Sequence, residues 1–249
     1  MLLTSFLYAL LATATLGLPT AKEQLAARVA RRANETLHPN ATFAQLSSAN
    51  WAGVIIDASP QTWQVVYGVV DVPTPRVPSN GQSSAAYAGS LWVGMDRDSC
   101  VSAFFQIGID YYVINGDLVY YGWYQWYPDS RQTITQVSFS PGDSVALLIY
   151  AQSATHVFAT LDNISNGQSA GLELTSQNAL CRQDGEWIVQ SLGDGTGTVP
   201  LADFGTITFS GAVMETVNDV QFGPISGRVV NTPNSLLGYD DNSVTVTYL

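Results

Sequence analysis

From Ser47 to the C-terminus the chain is a succession of short apolar runs broken by turn formers, with no stretch of ten residues that reads as a helix. The runs are Thr62–Val70, Ala85–Met95, Ala103–Tyr112, Leu118–Tyr127, Ser144–Ala151 and Val157–Leu161, rich in Val, Ile, Tyr, Trp and Thr as strands are. Asn115-Gly116 and Asn166-Gly167 are hairpin dipeptides, and Pro141-Gly142-Asp143 is a further turn. The pattern predicts an all-β domain, an antiparallel sandwich.

Alternate residues of a strand share a face. In the second run Ser90, Trp92, Gly94 and Asp96 fall on one side, and Tyr87, Leu91, Val93 and Met95 on the other. In the third, Gln106, Gly108 and Asp110 alternate with Phe105, Ile107 and Ile109; in the fourth, Trp123, Gln125 and Tyr127 alternate with Tyr124 and Trp126. Further on, Glu186, Ile188 and Gln190 alternate with Trp187 and Val189. Ordinary solvent-facing strands favour Thr, Lys and Glu. A face of Trp, Tyr, Gln, Asp and Gly predicts a binding groove instead.

The N-terminus differs in composition. Met1 to about Leu18 is an uncharged apolar run ending in small residues, which reads as a secretory signal peptide. Residues 19–46 carry Lys22, Arg28, Arg31 and Arg32 and a stretch of helical composition at Gln24–Ala30, and read as a pro-segment with Arg31-Arg32 as a processing site. The third segment, 47–249, is then the working domain of a secreted, extracellular protein.

Charge narrows the function of that domain. It holds five arginines and no lysine against fifteen Asp and three Glu, a net charge of −13. Phosphate binding needs a basic patch, so nucleic acid is excluded as a partner, and nothing points to a membrane. With few basic groups, little positive self-repulsion develops when the carboxylates protonate, which suits an acidic medium. The four basic residues of the leader face this acidic domain, so a pro-segment that covers the groove and lets go in acid is expected. Cys100 and Cys181 are the only cysteines and are expected to form one disulfide in an exported chain. Asn163-Ile-Ser165 is the one glycosylation sequon of the domain.

The usual catalytic sets are missing. Gly167-Gln-Ser169-Ala-Gly171 matches a nucleophile elbow, but no histidine follows it; the only two are His38 and His156. Zinc needs several His or Cys ligands, so no metal site and no cofactor are expected. What remains is acid and amide chemistry, and Glu186, opening Glu186-Trp187-Ile188-Val189, stands out among three glutamates.

Together, Ser48-Ala-Asn-Trp51-Ala-Gly53, Leu91-Trp92-Val-Gly94-Met-Asp96, Phe105-Gln106-Ile-Gly108-Ile-Asp110, Trp123-Tyr-Gln125-Trp-Tyr127-Pro128-Asp129 and Glu186-Trp-Ile-Val resemble the glutamic peptidases, or eqolisins, of secreted fungal type. Pro200–Phe209 and Ser243–Tyr248 resemble them too, and the motifs run in the family's order. The resemblance implies two long antiparallel sheets in a concanavalin A-like sandwich, with polypeptide substrate on the concave face. It implies Gln106 and Glu186 as catalytic residues, and Trp51, Trp92, Asp96, Trp123, Gln125 and Tyr127 as substrate-binding residues. It also places a disulfide at Cys100 and Cys181, and implies a monomeric, pepstatin-insensitive acid endopeptidase. The chain departs from the family where Gln125 replaces a common Glu, where Gln190-Ser191 replaces an acidic pair, and where Arg97 replaces Gly. Two other functions fit an aromatic groove on this scaffold: a carbohydrate-binding or glycosidase-like lectin-fold protein, and an inactive peptidase homologue that binds.

Overall fold

The computed structural model describes residues 45–48, 50–82, 86–100, 102–192 and 199–249. The expected signal peptide and nearly all of the expected pro-segment lie outside them. Two sheets make up the fold, and a turn of 3-10 helix at Pro224–Ser226 is the sole helical element among the described residues. No helix there is long and apolar enough to cross a membrane.

The site-bearing sheet contains β1 (Gln45–Ser47), β2 (Trp51–Asp57), β4 (Ala86–Met95), β5 (Phe104–Ile114), β6 (Asp117–Tyr127), β7 (Gln132–Ile134), β11 (Asp184–Gln190) and β14 (Arg228–Asn231). Their order is β1-β14-β2-β11-β4-β5-β6-β7. The second sheet runs β10-β9-β8-β3-β12-β16-β15, made of β3 (Trp63–Asp71), β8 (Ser144–Ser153), β9 (His156–Asn163), β10 (Gln168–Thr175), β12 (Thr206–Thr216), β15 (Ser235–Tyr239) and β16 (Ser243–Tyr248). The short β13 (Gln221–Phe222) pairs with β12. All pairings are antiparallel except β1 with β14. The pro-segment boundary expected at residue 46 therefore falls inside a strand, with Gln45 and Leu46 already in the sheet.

The six apolar runs are all strands. Asn115 and Gly116, at φ 54° and 91°, make the tight turn between β5 and β6 that their sequence predicts. The core lies between the sheets and takes Leu91, Val93, Phe105, Ile107, Trp187 and Val189 from the inward parity of their strands. Trp187 is fully buried and donates its indole N–H to the Tyr67 carbonyl of the opposite sheet at 2.9 Å. Anchored inward at Trp187, β11 must turn Glu186 outward.

A smaller apolar cluster, Ile55, Trp92, Trp123, Ile188 and Val230 with Trp51, covers the outer face of the site-bearing sheet. That second layer is why β4 is buried on both sides.

Asn163 is 1% exposed. Its Nδ2 donates to the Ser138 carbonyl at 2.9 Å and to Asp143 at 2.7 Å, while Oδ1 accepts from the Ser165 and Asn166 amides at 3.1 and 3.3 Å. The glycan expected at this sequon has no room in the fold, because the nitrogen that would carry it is enclosed and spent on two bonds. Peptide mapping of the folded, secreted protein should return Asn163 unmodified. An occupied site there would refute this assignment.

Candidate active site

Register brings the outward side chains into rows. Glu186 on β11 pairs with Gly94 on β4, Gly94 with Gln106 on β5, and Gln106 with Gln125 on β6. Glu186 and Gln106 thus stand two strand spacings apart, about 9–10 Å between backbones, on either side of a residue with no side chain. A Cβ on Gly94 would lie 2.3 Å from Glu186 Oε2 and 2.7 Å from the Trp92 ring. The glycine is what opens the space between the two functional groups.

Both groups are buried and half-satisfied. Gln106 is 4% exposed and Glu186 0%. Glu186 Oε1 accepts the Arg97 backbone N–H at 2.9 Å. Gln106 Nε2 has no hydrogen-bond partner among the described residues, and Glu186 Oε2 accepts from no N–H or hydroxyl there, the side chain's other neighbour being the Asp184 carboxyl. Leaving a buried polar atom unpaired costs about 1–3 kcal/mol.

A reciprocal clamp holds the loop that supplies the Arg97 amide. Asp96, at φ 74°, accepts the Arg182 and Gln183 N–H groups at 2.7 and 2.8 Å. Asp184 accepts the Asp98 and Ser99 N–H groups at 3.3 and 3.1 Å, and the Ser99 hydroxyl. The disulfide between Cys100 and Cys181 ties the same two segments together.

This arrangement packs three carboxyls closely. Burial pushes the Glu186 carboxyl well above the ordinary glutamate range, Asp184 and Asp96 push the same way, and the Arg97 amide opposes them. Burial likewise raises Asp96 to about 6, with help from the Asp184 charge and against backbone hydrogen bonds from Gln183, Arg182 and Asp184. A buried carboxyl is kept ionised by hydrogen bonds to its charged form. One N–H does so here, and burial outweighs it.

Over the row of Glu186, Gly94 and Gln106 lies Arg97. Its guanidinium sits 5.1 Å from the Trp51 ring and 4.6 Å from Phe104, and Phe104 stacks on Tyr127 at 4.7 Å. Phe104 is one row to one side of Gln106, while Trp51 meets Trp92, on the other side, edge-on at 5.5 Å. Beside this bridge opens a depression of about 460 Å³, lined by Gln106, Gln125, Tyr127, Arg97, Arg131 and Gln190 among others.

The substrate-binding set divides in two. Trp51, Gln125 and Tyr127 are at least partly exposed and available for contact. Trp92, Asp96 and Trp123 are 0%, 0% and 1% exposed and support the groove from beneath; Trp92 donates to Gln190 Oε1 at 2.9 Å. Strand parity fixes a face but not whether a neighbour covers it. Gln125 Nε2 donates to the Asp129 carbonyl at 3.0 Å, a bond an amide keeps at every pH. Phe104 and Arg131 join the site without having been singled out. In a domain with five basic side chains, each arginine was a signal worth following.

The triad suggested by Ser169 is absent. Ser169 pairs with Asp162 near one end of the β9–β10 hairpin and His156 with Thr175 at the other, about 20 Å along the strand. His156 instead bonds Glu173 at 3.0 Å. A glycosidase needs two carboxyls across a cleft, and the group facing Glu186 is an amide.

The profile of the Peptidase A4 family matches residues 49–248. The chain belongs to this family. It is 32% identical to aspergillopepsin-2 of Aspergillus niger over an alignment covering 96% of each chain. It is 35% identical to scytalidopepsin B of Scytalidium lignicola, over 66% of this chain and 62% of that protein. The structure of scytalido-glutamic peptidase with a peptide-based transition-state analogue superposes at a TM-score of 0.69 with 28% identity, covering 81% of this chain and 99% of that one. Aspergilloglutamic peptidase of Aspergillus niger gives 0.58 with 33% identity, over 66% and 99%. This Peptidase A4 member therefore has peptidases as relatives and the two-sheet sandwich of the glutamic peptidases as its fold.

Proposed function

We propose that the protein is a secreted endopeptidase, active in acid and insensitive to pepstatin, that hydrolyses peptide bonds with Glu186 and Gln106. The observation that carries this is the row in which buried Glu186 and Gln106 flank Gly94, with Gln106 Nε2 left without a partner among the described residues.

In its ionised form, Glu186 takes a proton from a water in the gap, and the water oxygen bonds to the scissile carbonyl carbon. Gln106 Nε2 donates to the oxygen as negative charge gathers on it, and an amide remains a donor throughout the acid range. Glu186 then passes its proton to the leaving nitrogen, the C–N bond breaks, and the carboxylate is regenerated. The raised Glu186 carboxyl suits the second role, holding a proton to give, and makes the first depend on pH. Rate should climb with pH along an acid limb lying above the ordinary glutamate range. The basic leader at Lys22, Arg28, Arg31 and Arg32 is proposed to restrain the enzyme until acid weakens its hold.

The test is digestion of an unfolded protein between about pH 2 and 7, spanning carboxylate titration, with pepstatin present. The wild type should cut and Glu186→Gln should not. A processed, folded wild type that cuts nothing would overturn the proposal and leave a binding protein.

A further inference from the structure

Two of the five arginines of this acidic domain reach the same depression. Of the others, Arg182 is buried against the Ala151 and Gln61 carbonyls, Arg228 pairs with Asp57 and Asp98, and Arg76 is an exposed residue at a backbone bridge to Asp203, outside the lining of the depression. Arg131 is fixed in place. Its Nη1 bonds both oxygens of the buried Asp110 at 3.1 and 2.8 Å, and its guanidinium lies 3.6 Å over the Trp123 ring. That leaves Nε and Nη2 without a hydrogen bond among the described residues. The Arg97 guanidinium touches only aromatic faces, Trp51 and Phe104, and has no ion pair among the described residues. The one carboxylate lining the depression, Asp98, is already engaged by Arg228.

We propose that Arg97 and Arg131 form a carboxylate-binding subsite beside Gln106, so that the protein prefers polypeptides with an Asp or Glu side chain close to the bond it cuts. The proposal rests on the peptidase reading for the cut itself, but the subsite stands on its own geometry. Guanidinium groups held by stacking present planar forks that match a carboxylate, and their side-chain entropy has already been given up. Without such a subsite, a domain of net charge −13 would repel an acidic chain.

The experiment uses the secreted, purified protein and fluorescein-labelled peptides that differ only in Glu or Gln at one position, scanned along the sequence. Binding is read by anisotropy on the Glu186→Gln variant, and kcat/KM on the wild type, at about pH 5.5, where a peptide glutamate is ionised. At one position the Glu peptide should bind about tenfold tighter than its Gln twin. Adding Arg97→Gln and Arg131→Gln should bring the ratio to about one, whereas Arg131→Lys should keep part of it. Removing Arg131 strands Asp110, so if the double variant fails to fold, Arg97→Gln alone and Arg131→Lys carry the comparison. A ratio near one at every position, or a preference unchanged by the arginine substitutions, would overturn the subsite. Wild type that cleaves both peptides equally would sink the subsite and leave the peptidase standing. Preferential binding with no cleavage would do the reverse.

Discussion

Replacing Gly94 by alanine is expected to lower kcat/KM by about a thousandfold or more, as removal of a dyad member should, while the protein stays folded. The added methyl meets Glu186 Oε2 at 2.3 Å and the Trp92 ring at 2.7 Å. The carboxyl is the far end of a flexible side chain and can swing aside, while the buried Trp92 ring must also shift, so the strand is kept at some cost and the gap is filled. Gly108, one row away, is a useful contrast. A Cβ there would lie 2.2 Å from the Leu91 carbonyl oxygen and 2.9 Å from the Trp92 Cα, both backbone atoms that cannot yield. Gly108→Ala should lose expression or thermal stability. Gly94→Ala should lose less unfolding midpoint than Gly108→Ala and lose turnover. Full activity in Gly94→Ala would show that the reacting water does not occupy the space between Glu186 and Gln106.

The fold should be more stable in weak acid than at neutral pH, the reverse of many proteins. Burial pushes Asp96 up to about 6 in the folded chain, from an ordinary aspartate value of 3.8. A carboxyl raised on folding holds its proton more tightly in the native state. Its contribution is therefore fully present below the unfolded value and is lost as pH rises through the folded one. For Asp96 the difference is roughly 3 kcal/mol, an order-of-magnitude figure. In a domain of this size that corresponds to about 10 °C of unfolding midpoint between roughly pH 4 and 7. Burial shifts Glu186 and Asp110 in the same direction. Thermal unfolding at a series of pH values should show the decline, and Asp96→Asn should flatten it. A midpoint that rises toward neutrality, or an Asp96→Asn curve parallel to wild type, would contradict the assignment.

The strands and their faces were legible because a two-residue period survives in the sequence wherever one face packs against a core. Gln106, Gly94, Gln125 and Glu186 do share a face, as their parity predicts. Which strands lie side by side was not legible. β11 enters between β2 and β4 after nearly ninety residues, and no local pattern specifies that insertion. The spacing of Glu186 from Gln106, and with it the role of Gly94, follows only from that register. Loops that fold over the sheet were also out of reach. Parity exposes Asp96, yet the loop it begins turns back and encloses it, and Arg97 then spans the groove between Trp51 and Phe104. Asn163 carries a sequon and an Asx-type turn in the same three residues, and only the packing shows which one the chain uses.

The parallel strand β1 sets a boundary on maturation. It lies along β14 at one end of the site-bearing sheet, from Gln45 to Ser47. Cleavage at Arg31-Arg32 would leave it in place, whereas trimming past Leu46 would strip the pairing partner from β14. An uncovered strand invites addition of a foreign one and self-association between copies. A cut ahead of Gln45 keeps this short strand on β14, where it serves as a selvedge that keeps the sheet from fraying into its neighbours.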